Sequence, residues 1–209
     1  GDMQSENKER LISVIRPDLG GKLYADDFYL NVWPTATPTI EARTHGARFQ
    51  LSLLAAYPYW CKDDSATKVL SGVQKLFKFP WNISRSYQFG QIMETKFMNV
   101  FNKGQVPVPF TATFAASSEV VNPKITNATT GKFLLVKKTL VAGERLVVKI
   151  THDRTYVTSN VDGDCRGALS LSSNMFELGV GINVLKPEAE IGLENLLVDI
   201  DFAVEIVGI

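Results

Sequence analysis

A row of acidic residues near the C-terminus has a spacing that suits hydrolytic chemistry. Asp199, Asp201 and Glu205 fall on one face of the strand predicted over Leu196–Val207. Alternate residues of a strand are roughly 6.6 Å apart, and retaining glycosidases place two carboxyl groups about 5 to 5.5 Å apart. Only Ala203 is apolar on that face, so the apolar surroundings that a catalytic acid needs are missing. We therefore interpret the row as a solvated strand face, with a glycoside hydrolase as the least favoured alternative.

Other reactive groups are few. His45 and His152 are the only histidines, and neither has the spacing of a metal-ligand pair. Cys61 and Cys165 are the only cysteines, and we interpret both as free thiols. The segment Asp162-Gly163-Asp164 resembles the start of a calcium loop without its later ligands, which predicts a turn. We expect no catalytic residue, no bound metal and no cofactor, and the chain is not predicted to be an enzyme.

Two aromatic clusters are candidates for contact with another molecule. The first runs from Tyr57 to Trp60 at the end of a predicted strand, where we favour packing into the core. The second consists of Phe79, Pro80 and Trp81. Its proline predicts a loop, and exposed aromatic residues in loops often mark contact sites. This second cluster is the candidate interaction loop, for a sugar or for a protein, and core packing explains it equally well.

Composition excludes several classes of function. The 209 residues carry 22 Lys plus Arg against 22 Asp plus Glu, a formal net charge of zero. Because no segment has clustered positive charge, nucleic-acid binding is not expected. The longest uncharged stretches, Phe49–Cys61 and Gly104–Ser118, are shorter than the ~18 apolar residues of a membrane helix, so no membrane insertion is expected. Asp2–Arg10 is polar and no apolar signal segment follows it, which predicts synthesis in the cytoplasm.

The elements of the first half are one helix and a series of strands. The helix is predicted over Ser5–Arg16, with Ser5 as its cap and with Leu11, Ile12 and Ile15 on one apolar stripe. Apolar or alternating stretches predict strands over Phe28–Ala36, Thr39–Arg43, Arg48–Ala56, Lys68–Phe79 and Lys96–Phe101. The third of these is apolar enough to be expected in the middle of a sandwich. Asn102-Lys103-Gly104 predicts a turn after the last one.

The second half has the pattern of an all-β sandwich or barrel, because short strands recur with turn residues between them. The predicted strands are Phe110–Ser117, Lys124–Asn127, Lys132–Val136, Arg145–Thr151, Thr155–Thr158 and Leu196–Val207. In the last strand an apolar face alternates with the acidic row over its whole length, which predicts a sheet that is wet on one side. This change of pattern favours two domains over one.

A set of motifs runs through most of the chain in a specific order. They are Asp26-Asp27-Phe28 with Asn31-Val32, the strand end LLAAYPYW, then FNKGQVPVPF, NPKITNATTGKF, ITHDRTYV, FELGVGIN and the closing VEIVGI. In this order they resemble the distal tail protein family of long non-contractile-tailed bacteriophages and prophages, also called the siphovirus tail component.

The resemblance implies two β-sandwich-like domains. Residues 1–103 would form a ring-type domain with one N-terminal helix, and residues 104–209 a galectin-like sandwich. Six copies would form a hexameric ring in the virion tail, between the tail tube and the tail-tip hub, and the outer domain would anchor receptor-binding or other baseplate proteins. Because family members usually have further strands before the helix, we expect the first domain to be incomplete at its N-terminus. The main alternative is a carbohydrate-binding β-sandwich module.

Overall fold

The chain is mainly β, with a single α-helix among the described residues. Contacts divide it into two compact units, Gly1–Asp63 with Ile206–Ile209, and Asp64–Glu205. The predicted fold class is therefore confirmed, while the predicted domain boundary between residues 103 and 104 stays a prediction. The computed structural model describes residues 2–43, 46–62, 68–70, 73–74, 91–92 and 97–209.

The helix α1 spans Asp2–Val14 instead of the predicted Ser5–Arg16. Ser5 therefore lies inside the helix, and its predicted role as the cap is wrong. The predicted stripe of Leu11, Ile12 and Ile15 is half-buried, while the residues on either side of it are exposed. The amphipathic pattern thus located the helix correctly and misplaced its first turn by three residues.

The first unit is built from short antiparallel strands. Their bounds are Gly21–Ala25 (β1), Phe28–Pro34 (β2), Thr39–Arg43 (β3), Gly46–Gln50 (β4), Leu53–Leu54 (β5) and Trp60–Lys62 (β6). Strand β2 pairs with β1, β5 and β6, and β3 pairs with β4. A two-residue turn joins β1 to β2, and Asp26 within it has a φ of 50°, the conformation that tight hairpins require.

The strand predicted over Arg48–Ala56 is not a central sandwich strand. It divides into β4 and β5, and Phe49 and Leu54 are 56 % and 58 % exposed. Phe49 lies opposite Ile40 in the two-stranded pair of β3 and β4. Such a pair offers little apolar surface to cover its side chains, so a high apolar content did not lead to burial.

The second unit contains the remaining strands, apart from Ile206, the final residue of the last strand, which belongs to the first unit. Their bounds are Lys68–Leu70 (β7), Val73–Gln74 (β8), Gln91–Ile92 (β9), Met98–Asn102 (β10), Thr111–Ala116 (β11), Val120–Val121 (β12), Lys124–Asn127 (β13), Phe133–Leu135 (β14), Thr139–Leu140 (β15), Arg145–Ile150 (β16), Thr155–Ser159 (β17), Gly163–Asp164 (β18), Gly181–Glu188 (β19), Leu196–Asp201 (β20) and Val204–Ile206 (β21). Two short 3-10 turns lie at Arg166–Ala168 and Leu193–Asn195.

Two sheets of this unit pack face to face as a sandwich. One has the strand order β18-β17-β16-β11-β20-β7, and the other has the order β10-β19-β13-β14. Their inward residues form one continuous apolar core, which includes Phe114, Leu146 and Ile200 of the first sheet and Ile125 and Leu185 of the second. Strands β11 and β16 alternate buried and more exposed residues along their whole length. The period-two pattern of the sequence thus arises from one core between two sheets.

The last predicted strand breaks in two, and this changes the environment of one acidic residue. Strand β20 ends at Asp201, and β21 starts at Val204 after a two-residue interruption. Up to Phe202 the predicted apolar residues face the core. Beyond the break the alternation reverses, so Glu205 is only 5 % exposed. The prediction that Glu205 faces solvent is wrong, because the period-two rule holds only within a continuous strand.

Candidate functional site

The predicted interaction loop of Phe79, Pro80 and Trp81 lies outside the described residues, as does His45. Its role in contact stays a prediction. The two cysteines are free thiols, with Cys61 buried and Cys165 half-buried, as the sequence indicated.

The first aromatic cluster is half-buried and does not belong to the core. The rings of Tyr57 and Tyr59 contact each other edge to face, with their centroids 4.9 Å apart. Trp60 follows as the first residue of β6 and is also half-buried. The structure therefore corrects the prediction of core packing: these rings pack partly on each other at the start of a short strand.

The three acidic residues of the predicted row do not lie on one face of one strand. Asp199 is half-buried and Asp201 is exposed, and both lie on the outer face of the six-stranded sheet. Glu205 is buried beyond the strand break. The three residues that the sequence placed in one line thus occupy two different environments, and the arrangement favours no hydrolytic reaction.

His152 lies between two carboxylates that are distant from it in sequence. Its Nδ1 atom is 3.1 Å from the Oε1 atom of Glu177, and its Nε2 atom is 3.6 Å from the Oε1 atom of Glu205. The imidazole thereby connects the turn after β16 to two later segments of the chain. Sequence reasoning placed His152 in a loop correctly but missed both partners, since no local spacing signals contacts of such long range.

The prediction of a turn at Asp162-Gly163-Asp164 is right only for Asp162, which ends the turn after β17. Gly163 and Asp164 form the two-residue strand β18. Gly163 has a φ of 72°, a conformation that favours glycine. The carboxylate of Asp162 accepts a hydrogen bond from the ammonium group of Lys138, and that of Asp164 pairs with the guanidinium of Arg166. Side chains of the chain itself therefore compensate both charges. In the described part of the chain, no group of His, Cys, Asp or Glu has the arrangement of a metal site.

A buried polar network holds the turns next to this segment. Glu144 is almost completely buried, and its Oε1 atom accepts hydrogen bonds from Ser159 at 2.5 Å and from the ammonium group of Lys138 at 3.0 Å. Its Oε2 atom accepts the backbone N–H of Val141. Burial raises the pKa of Glu144, but the hydrogen bonds from Ser159, Val141 and Lys138 outweigh it and hold the pKa below that of an ordinary glutamate. The carboxylate is thus kept charged inside the sandwich to join three turns.

A buried amide holds the turn that follows β10. Asn102 is 1 % exposed, and its side-chain amide donates to the backbone oxygens of Val106 and Leu178 at 2.9 and 3.1 Å. Its side-chain oxygen accepts the N–H of Gly104 at 2.8 Å, which forms the predicted Asn-Lys-Gly turn. Every polar group of the Asn102 side chain is used, so this turn is a rigid start for the segment that leads into β11.

A charged network occupies the outer face of the four-stranded sheet. Glu188 on β19 accepts hydrogen bonds from Thr126 and Lys186 and forms an ion pair with Lys124 at 3.1 Å. Burial raises the pKa of Glu188, but these three partners outweigh it and lower the pKa to about 2. The ammonium group of Lys124 also lies 4.9 Å from the ring centroid of Phe133 on β14. The network therefore links three of the four strands of this sheet.

No helix within the described ranges is long and apolar enough to cross a membrane.

Comparison with known proteins points to one kind of molecule. Residues 103–202 match the family model described as siphovirus-type tail component, C-terminal domain. The crystal structure of SPP1 Dit (gp 19.1), described as a paradigm of hub adsorption apparatus in phages that infect Gram-positive bacteria, has a similar fold with a TM-score of 0.69. The two sequences are 14 % identical, and the similarity covers 98 % of this chain and 74 % of that one. No curated protein sequence matches the chain.

The two-sheet sandwich and the family match agree in one respect: residues 103–202 are similar to the C-terminal domain of siphovirus-type tail components. The resemblance to distal tail proteins that the motifs predicted is thereby confirmed. The matched range starts at the turn after Asn102 and ends at the break after β20, so it contains every strand of the sandwich except β7 and β10.

Proposed function

We propose that this protein is the distal tail protein of a siphovirus-type phage or prophage, with a structural role at the tail tip. In this role it links the tail tube to the tail-tip hub and to receptor-binding proteins, and it resides in the virion tail after synthesis in the bacterial cytoplasm. The observation that carries the proposal is the family match of residues 103–202, because it covers the sandwich from the Asn102 turn to the end of β20.

The proposal includes a hexameric ring formed by the N-terminal domain, residues 1–103, with the galectin-like sandwich of residues 104–209 directed outward. A non-enzymatic role agrees with the environment of the acidic residues described above. Asp162, Asp164 and Glu144 each pair with a lysine or an arginine, which suits a rigid connector.

The mass of the protein in solution tests the ring. Light scattering on the purified natural protein should give about six times the protomer mass, which is 23.1 kDa for this chain. Negative-stain images of the same preparation should show rings. A monomer over the whole concentration range, which also fails to form rings when tail-tube protein is added, would contradict the ring.

Localisation tests the role in the tail. Antibodies against the sandwich should label the tail tip of induced phage particles, and the protein should co-purify with tail-tube and receptor-binding proteins from those particles. Labelling of the host cell surface, with none on virions, would instead favour a separate carbohydrate-binding module.

A further inference from the structure

The outer face of the six-stranded sheet has a floor of small side chains along its central strand. Strand β11 lies between β16 and β20. Its outward residues are Thr111, Thr113 and Ala115, and all three are half-buried. Longer side chains on both neighbouring strands rise above them. We call this floor, with the outward residues of β16 and β20 beside it, the outer groove.

The walls of the outer groove carry opposite charges. Lys149 on β16 and Asp201 on β20 both lie opposite Thr111, one on each side. Two strand spacings, about 10 Å, therefore separate the Cα atoms of these two residues. Arg145 adds a second exposed cation on β16, beside Ala115. None of the ion pairs among the described residues uses these three charged side chains.

Asp199 provides a further carboxylate in the same wall, opposite Thr113. Its Oδ1 atom is shielded from solvent and has no hydrogen-bond partner in the part of the chain that the structure describes. A shielded acceptor without a donor costs free energy, so its presence calls for an explanation. The carboxylate is thus not used to hold the sandwich together, in contrast to that of Glu144.

The groove leads into a cleft at one end of the sheet. The cleft has a volume of about 360 Å³ and includes Ala115, Arg145 and Leu197 of the groove together with Ser117 and Glu194 from the adjoining turns. At the other end, Tyr156 on β17 lies opposite Lys149 and is 40 % exposed. The face therefore offers a hydroxyl-lined floor, charged walls and an accessible aromatic ring.

We propose that the outer groove binds a neutral saccharide. Asp199 and Asp201 repel a polyanion, and Arg145 and Lys149 repel a polycation. An extended peptide cannot add to β11 as a strand, because both of its edges are already paired. Sugar hydroxyls both donate and accept, so one ligand can accept a hydrogen bond from the lysine on one side of β11 and donate one to an aspartate on the other side.

Tyr156 fits this ligand class as well, because the apolar face of a sugar ring can pack on an exposed aromatic ring beside the lysine wall. The proposal concerns the sandwich alone and does not depend on ring assembly. Failure to bind sugar would leave the hexamer measurement unaffected, and a monomeric protein could still bind sugar in this groove.

Binding to soluble neutral oligosaccharides tests the site. A microarray of oligosaccharides of hexoses and N-acetylhexosamines identifies the probe, and calorimetry then measures its affinity for the full chain. Asp201→Asn and Lys149→Met should each weaken binding about tenfold, the cost of one hydrogen bond to a charged group. Thr113→Phe should abolish binding because the ring fills the floor.

Two matched variants serve as controls. Asp153→Asn and Lys132→Met change exposed residues of the same types outside the groove, and they should bind like the parent chain. Circular dichroism establishes that each variant is folded. The proposal is overturned if the folded parent binds no neutral oligosaccharide at about 1 mM, or if the two charge variants bind as tightly as the parent. Loss of hub-protein capture in Asp201→Asn without loss of sugar binding would likewise overturn it in favour of a protein-docking face.

Discussion

The backbone N–H of Gln105 donates a hydrogen bond of 2.9 Å to the backbone oxygen of Glu205. The segment between β10 and β11 is therefore joined to the segment that follows β20. Gly104, next to this bond, has no space for a side chain, because a Cβ atom would lie 2.5 Å from that same oxygen and 2.9 Å from the Oδ1 atom of Asn102. The junction thus depends on the residue type at position 104.

Gly104→Ala should destabilise the sandwich by about 1 to 3 kcal/mol, the usual cost of forcing atoms into a filled space. The obstacle is backbone, which cannot move aside as a flexible side chain can. Urea unfolding followed by tryptophan fluorescence and circular dichroism measures the effect. Gly167→Ala is the control, because no atom lies within 4 Å of its added Cβ. Equal unfolding midpoints for the two variants would contradict the close approach.

Where strong turn residues flank a strand, the sequence predicts both the first and the last residue of that strand correctly. The bounds of β13, Lys124–Asn127, agree with the prediction. Asn122 before it and Gly131 after it both have positive φ, at 52° and 72°. Such residues end a strand through backbone preference alone, so their effect is local and visible in the sequence.

Features that depend on partners far along the chain could not be predicted. The break after β20 reverses the exposure of Glu205, and its carboxylate lies 3.6 Å from His152. Neither a strand break without glycine or proline nor a contact of such range has a local signal. The same holds for the outer groove, because only the register of β11 between β16 and β20 places Lys149 and Asp201 on opposite sides of Thr111.

Glu188 should make the sandwich sensitive to acid. Its pKa is lowered to about 2 in the folded chain, whereas an unfolded glutamate titrates near 4.3. Because the pKa is lower in the folded chain than in the unfolded chain, the ionised Glu188 side chain stabilises the protein above pH ~4.3. This contribution is lost as the pH falls towards 2. Glu188→Gln should therefore reduce the free energy of unfolding at pH 7 by about 1 to 2 kcal/mol, allowing for partial solvent screening.

The matching measurement is urea unfolding of Glu188→Gln and the parent chain between pH 7 and pH 2.5. The difference between the two should shrink as the pH falls through 4. Glu190→Gln is the control, because Glu190 is exposed and accepts a single side-chain hydrogen bond, from Asn122. A difference that stays constant with pH would contradict the ionic role of Glu188.

Glu144→Ala should destabilise the sandwich by about 3 kcal/mol, since it breaks a buried ion pair. The substitution leaves the ammonium group of Lys138, which is 15 % exposed, with Asp162 as its remaining ionic partner, and it leaves Ser159 without its acceptor. Thermal unfolding measures the loss. Glu119→Ala, an exposed position, should leave the midpoint within the usual small range of surface changes. Comparable midpoints for both variants would show that the network does not stabilise the fold.

Two phenylalanines on neighbouring parts of the sandwich should differ sharply in their contribution to stability. Phe114 on β11 is completely buried between the sheets, whereas Phe101 on β10 is 50 % exposed on the outer face. Phe114→Ala should cost about 3 to 5 kcal/mol, because it removes the transfer free energy of the ring and leaves a cavity in the one continuous core. Phe101→Ala creates no cavity and should cost about 1 kcal/mol. Urea unfolding of both variants measures the difference, and similar losses would mean that the two-sheet core is not the main source of stability in this unit.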